Sequence, residues 1–182
     1  MTETTKLLIT KCKNDNRRAQ YELFDLFLPY VNVVVRRYLF DQNNVKDVVQ
    51  EVFITVFKSI KTSYDPTKGA FKPWLRTITI NRCIKQNKNN KVFEDLEVVE
   101  KTASVEPVVF SNFNQEELLK YLQHMPENYK VVFNMSVIDD YSHSEIATIL
   151  GISEISSRKK LSRARNWLNQ RIQTSKSFFN IS

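Results

Sequence analysis

The sequence predicts an all-α protein of two small helical domains joined by a flexible acidic linker, and three observations carry that expectation. Apolar residues recur at i, i+3, i+4 and i+7 over long stretches, while strand-like alternation is hard to find. Only two glycines occur in 182 residues, at positions 69 and 151, which leaves little material for tight hairpin turns. Residues 92–114, VFEDLEVVEKTASVEPVVFSNFN, break the helical period, hold Pro107 and are acidic. An irregular run of that length is uncommon inside a compact domain, so it reads as a connection between two. The expected boundaries are 1–91 for the first domain, 92–113 for the linker, 114–175 for the second domain and 176–182 for a tail.

The first domain reads as four helices. The first spans about 3–13, and the second about 16–40, with Tyr21, Phe24, Phe27, Leu28, Val31, Val35 and Leu39 spaced for burial. In the third, about 44–61, Val45, Val48, Val49, Val52, Phe53, Val56, Phe57 and Ile60 fall on one stripe. Asp47, Gln50 and Glu51 cluster on the opposite face, an acid–amide patch on a chain that is basic as a whole. TSYDPTKGA, residues 62–70, is a loop rich in turn formers. The fourth helix begins near Phe71 and runs to about 88, with Phe71, Trp74, Leu75 and Ile78 marking its core face. Pro73 is tolerable there because a first turn has N–H groups without helical partners.

The second domain reads as segments of about 114–124, 126–138, 142–150 and 154–173. SHSE, at 142–145, has the form of a capping box with Ser142 and Glu145 as partners. Gly151 supplies a left-handed turn after Leu150, and Ser153 can cap the helix that follows. That helix turns Ser157, Leu161, Ala164 and Leu168 inward and Ile155, Arg158, Lys159, Ser162, Arg163 and Asn166 outward. A short capped helix, a glycine turn and a long basic helix make a helix-turn-helix, whose second helix enters the major groove. Arg or Lys near its start can reach G O6/N7, each good pair giving ~1–3 kcal/mol of discrimination. Arg165 and Arg171 point elsewhere and suit phosphates or intramolecular pairs.

Charge and composition narrow the function class. The chain carries +7, distributed as +9 over 1–91, −4 over 92–112, −4 over 113–150 and +6 over 151–182. Two positive blocks flanking a negative stretch suggest a polyanionic partner. In 62–90, Tyr64, Phe71 and Trp74 are interleaved with Lys68, Lys72, Arg76, Arg82, Lys85 and Lys88, a mixture that suits unstacked bases. Core spacing of Phe71 and Trp74 offers the competing reading, that these rings are mostly buried. Cys12, Cys83, His124 and His143 form no pair at metal-ligand spacing, so neither metal nor cofactor is expected. No signal peptide and no run of ~20 apolar residues is present, which predicts a cytoplasmic chain without membrane insertion. No catalytic triad or phosphate loop is evident, so the chain reads as a non-enzyme. A DNA-binding regulator of repressor type and a helical nucleic-acid-processing enzyme are the two competing classes. The first leaves the Asp47/Gln50/Glu51 patch unexplained. The second needs a cluster of acids near the basic helix, where only Glu154 occurs.

Four segments taken together, DVVQEVFITVFKSI, FKPWLRTITIN, MPENYKVVFNM and YSHSEIATILGISEISSRKKLSRAR, resemble the sigma-70 family of RNA polymerase sigma factors, in its extracytoplasmic-function (ECF) form. The resemblance covers about 16–90 and 115–172, in the family's order. It implies a region 2 bundle and a region 4 helix-turn-helix. Asp47, Gln50 and Glu51 match the D-x-x-Q-E pattern that docks on the β′ clamp helices of core RNA polymerase. The loop Ser63–Ala70 and the helix after it would hold the melted −10 element, with Tyr64, Lys68, Lys72, Trp74, Arg76 and Asn81 as candidates; Trp74 reads as core support and Asn81 as the better polar contact. Arg158, Lys159, Ser162 and Arg163, with Ile155 and Ser156 at the helix start, correspond to the contacts with the duplex −35 element. An anti-sigma factor is a further partner the resemblance implies. The match departs at Arg76-Thr77, where the family has an aromatic residue then arginine. It departs again at KQNKNN, in place of an Asp-Tyr-Leu-Arg type run, and at Ile155-Ser156, in place of Gly-Thr.

Overall fold

The computed structural model describes residues 3–89, 121–122 and 124–179, and every regular element among them is helical. The chain divides into two compact units, Met1–Lys91 and Val92–Ser182. The expected linker, 92–113, lies outside the described residues. So does most of the helix expected over 114–124, of which residues 121, 122 and 124 are described and helical.

The first unit contains α1 (Glu3–Lys13), α2 (Arg17–Tyr38), α3 (Val45–Ser59) and α4 (Phe71–Asn89). The chain reverses between α1 and α2 at Asp15, which takes a left-handed φ of 58°. Asn16 then caps α2, its Oδ1 accepting the Ala19 N–H at 2.9 Å. A 3-10 turn, Gln42–Asn44, leads into α3, with Asp41 Oδ1 accepting the Asn43 N–H at 3.0 Å. α2 packs against α1, α3 and α4, and α3 packs against α4. Leu23, Val31, Val34, Val35 and Tyr38 of α2 meet the valine stripe of α3 and Phe71, Leu75, Ile80 and Cys83 of α4 in one core.

Two expectations shift. Tyr21 is 67% exposed, whereas Leu23 and Val34 are buried. Three helices contact α2, so its buried arc is wider than one stripe and centred elsewhere. On α4, Trp74 and Ile78 are only half-buried, and the core face continues through Thr79, Ile80, Cys83, Ile84 and Asn87. Buried Asn87 is satisfied at both ends: its Nδ2 donates to the Tyr38 carbonyl at 2.8 Å and its Oδ1 accepts the Phe40 N–H at 3.2 Å. It thereby takes over the backbone groups released where α2 stops.

The second unit contains α5 (Glu127–Phe133), a π turn (Asn134–Ile138), α6 (His143–Leu150) and α7 (Glu154–Phe179). One regular helix was expected over 126–138; instead the Asp139 N–H donates to the Asn134 carbonyl at 3.0 Å, five residues back. Asn134 and Met135, at the start of the π turn, are both buried. The capping box forms as the sequence predicts, with Ser142 Oγ accepting the Glu145 N–H at 3.2 Å and Glu145 Oε2 accepting the Ser142 N–H at 2.8 Å. Those bonds from Ser142 also hold the Glu145 carboxyl below its ordinary range. Gly151 takes φ 72°, and Ser153 Oγ accepts the Ser156 N–H at 3.0 Å to start α7. Ser157, Leu161, Ala164, Leu168 and Ile172 are buried on the side of α7 that meets α5 and α6. α7 extends past the expected end near 173 to Phe179, into the segment expected to be a tail, whose residues 180–182 lie outside the described residues. Among the described residues no helix is long and apolar enough to cross a membrane.

Candidate functional site

Three surfaces carry the residues the sequence singles out. On α3, Asp47 and Gln50 are exposed, and Ile54 is 52% exposed at the next turn of the same face. Glu51 differs from the expectation of three exposed partners. Its Oε2 accepts from both Nε, at 2.5 Å, and Nη2 of Arg82 on α4. The patch is therefore two open polar side chains, one apolar one and one engaged carboxylate. Sequence reasoning missed Ile54 and grouped Arg82 with the cations of a nucleic-acid face. An isoleucine on an otherwise polar stripe was the available signal for the first.

The loop before α4 is ordered from below. Tyr64 is 4% exposed, its ring 5.3 Å from the rings of both Phe71 and Trp74. Lys13 of α1 donates to the Tyr64 carbonyl at 2.8 Å and lies over its ring. The Tyr64 hydroxyl reaches back to the Gly69 carbonyl at 3.4 Å. Tyr64 is thus the floor of the loop rather than an open aromatic face, its buried ring packed among Phe71, Trp74 and Lys13. Above it, Asp65 Oδ1 accepts from the Thr67 N–H at 2.9 Å and the Thr67 hydroxyl at 2.7 Å, closing an Asx turn. Those bonds from Thr67 hold the Asp65 carboxyl below its ordinary range. Lys68 stays exposed at the tip, and Lys72 stands 4.5 Å over the ring of Tyr30. Arg76 and Trp74 are half-buried, and Asn81 is exposed. Thr77, Lys85 and Lys88 share the open face of α4 with Asn81. These three complete a polar and basic surface that the site residues named from sequence represent only in part.

In the second unit, α6 and α7 are joined near their starts by His143 Nδ1 and Ser157 Oγ, 2.8 Å apart. Burial first, then the positive charge of Arg158, pushes His143 below the ordinary histidine value. Beyond this joint the first turns of α7 are open: Ile155 is 67% exposed, Arg158 and Lys159 are exposed, and Ser156, Ser162 and Arg163 are half-exposed. Arg158 is lightly held by Glu154 at 3.4 Å, one turn back. Asn166, expected outward, is half-buried. Arg171 lies over the Trp167 ring, 5.3 Å from its centroid, an intramolecular pairing. Among the described residues no group of three or more His, Cys, Asp or Glu side chains is placed to hold a metal ion.

Comparison with known proteins gives a consistent result. The family described as Sigma-70 region 2 matches residues 23–91, and that described as Sigma-70, region 4 matches residues 115–168. The ECF RNA polymerase sigma-E factor of Escherichia coli is 23% identical over 186 residues, 93% of this chain and 95% of that protein. The ECF RNA polymerase sigma factor SigM of Bacillus subtilis is 28% identical over 151 residues, 79% of this chain and 91% of that protein. Among solved structures, CnrH in complex with the cytosolic domain of CnrY aligns with TM-score 0.51 at 18% identity, over 92% of this chain and 96% of that one. The sigma factor RpoE of Bartonella quintana, in complex with the anti-sigma factor NepR, aligns with TM-score 0.53 at 19% identity, over 84% of this chain and 96% of that one. A region 2 segment followed by a region 4 segment, with ECF relatives matching along most of its length, makes this chain a member of the sigma-70 family of RNA polymerase sigma factors, in its ECF group, and gives it a role in transcription initiation.

Proposed function

We propose that the chain brings core RNA polymerase to promoters by docking through α3, holding the melted −10 element on α4 and its preceding loop, and reading the −35 duplex with α7. The observation that carries this reading is the open first face of α7. Ile155, Arg158 and Lys159 project from a helix start that Ser153 caps and Gly151 sets at its angle to α6. A basic helix presented this way fits the major groove, and the apolar Ile155 side chain suits contact with a thymine methyl.

On the first unit, Asp47 and Gln50 offer a carboxylate and an amide to an arginine-rich surface, and charge-assisted bonds would orient the chain as well as hold it. The exposed Lys68, Lys72 and Asn81 would meet an opened strand along α4, with Arg76 half-buried and Tyr64 and Trp74 supporting the loop. The domain assignment is correspondingly 1–91 for polymerase and −10 binding and 114–175 for −35 binding, with the acidic stretch between as the connection. The RpoE structure with its anti-sigma factor supports an anti-sigma factor as a partner here too. Work on RNA polymerase makes the bacterial cytoplasm the site of action, and the protein directs the polymerase's chemistry without performing any.

Run-off transcription with core polymerase from the source organism tests the reading. Asp47→Ala with Gln50→Ala is expected to abolish association with core. Arg158→Ala with Lys159→Ala is expected to leave association intact and to remove transcription from promoters that depend on the −35 element. A chain that never associates with core, free of any co-purified inhibitor, would sink the proposal and leave the repressor-type reading.

A further inference from the structure

The Glu51–Arg82 pair joins the two helices to which the proposed function gives different work. Glu51 lies on α3 beside Gln50 and one turn after Asp47; Arg82 lies on α4 next to Asn81. The Arg82 side chain is 22% exposed and that of Glu51 45%, so the pair is half withdrawn from water. Two N–H groups of one guanidinium converge on one carboxylate oxygen, which fixes direction as well as distance. The residues that follow each partner, Val52 and Phe53 on α3 and Cys83 and Ile84 on α4, are buried, so both backbones are anchored where the pair forms.

We propose that Glu51 does not grip the polymerase itself but is a positioning residue acting through Arg82. The pair holds α3 in register along α4, so that Asp47, Gln50 and Ile54 form one rigid patch. The same register keeps that patch aligned with the face of α4 that carries Asn81. This inference rests on the docking role proposed for α3. A composition of acids and amides on one helix face suggests three equivalent contacts; the structure gives one of them an internal partner.

A double-mutant cycle on the full chain, read as affinity for core RNA polymerase, tests it. Glu51→Ala and Arg82→Ala are expected to weaken association by the same factor, about twofold to fivefold for a half-exposed pair. The double variant is expected to be no weaker than either single one, because both remove the same interaction. The exchange Glu51→Arg with Arg82→Glu is expected to recover most of the loss, and melting of each variant, followed by circular dichroism, confirms that it is folded. The inference is overturned if Arg82→Ala binds as wild type, if Glu51→Ala has its full effect in the absence of Arg82, or if the exchange binds as poorly as Glu51→Ala. Any of these would mean that Glu51 does not act through Arg82. Asp47→Ala and Gln50→Ala, measured alongside, judge the docking role by themselves. Wild-type binding by both would remove that role, while the cycle alone decides the part played by Glu51.

Discussion

Asn87 ends one helix from within another. It is fully buried, and its amide meets the Tyr38 carbonyl and the Phe40 N–H, where α2 gives way to the turn before α3. Asn87→Ala would remove both bonds, one of them in the buried interior, at about 1–2 kcal/mol of stability. Urea unfolding of the chain should register that as a clear fall in midpoint; a change below about 0.5 kcal/mol, the range of ordinary surface substitutions, would mean the bonds contribute nothing. Tyr64 carries the complementary lesson about what a sequence shows. Its place among lysines made it a candidate for stacking on a base, and its floor position under the loop was not legible. Three aromatic residues within eleven positions can share a core in several ways, and composition does not say which ring faces out. The internal partner of Glu51 was not legible for a related reason. Helical spacing places a carboxylate on a face, but the cation that engages it lies thirty-one residues away on another helix.

Among elements, the α6–turn–α7 unit was the most legible, because each of its devices is local. The capping box, the left-handed Gly151 and the Ser153 cap all depend on residues within four positions of one another. No atom lies within 4 Å of where a Cβ on Gly151 would stand, so Gly151→Ala meets only the backbone penalty of a positive φ, about 1 kcal/mol. Gly151→Asn should lose less, since asparagine visits that region more readily. Denaturant unfolding of the two variants separates these outcomes, and a clash-driven loss of several kcal/mol in both would contradict them. The His143–Ser157 joint makes a prediction about acid. Because the folded state lowers the His143 pKa, the unfolded chain binds the proton more readily. That preference has no effect well above the ordinary histidine value of 6.5, and destabilises progressively as pH falls through it. Between about pH 7 and 5.5, a window set by that histidine range, the wild type should therefore lose more melting temperature than His143→Asn. Equal losses would show that the joint is indifferent to the charge. By contrast, the π turn at Asn134–Ile138 left no mark in the periodicity of its sequence, because an insertion of one residue is absorbed within a single turn.

At the scale of the whole molecule, the all-α class and the two units follow from long apolar periods and scarce glycine, signals that average over many residues and so survive local misreadings. The charge blocks belong to this scale as well. Residues 151–182 hold seven Lys and Arg against one acid, and Arg158 is tied to Glu154 by an exposed pair that a phosphate can replace at little cost. Binding of the chain with core polymerase to promoter duplex should weaken linearly in log–log terms as salt rises. If Lys159 meets a phosphate, Lys159→Ala should reduce that slope by about 0.9 and weaken all promoters alike. If it reads a base edge, the slope should stay and discrimination at one −35 position should relax.

Both cysteines of the chain, Cys12 on α1 and Cys83 on α4, lie in the core of the first unit, and residues 92–182 contain none. Burial pushes the Cys12 thiol up to about 11 and the Cys83 thiol up to about 12, so almost no thiolate exists at neutral pH. A thiol reagent can therefore react only while α1 or α4 is transiently detached, and the rate of labelling becomes a clock for that opening. The natural chain thus carries its own stopwatch for one half of itself, silent about the other. A ligand gripping α3 or α4 should slow it without any label having been introduced.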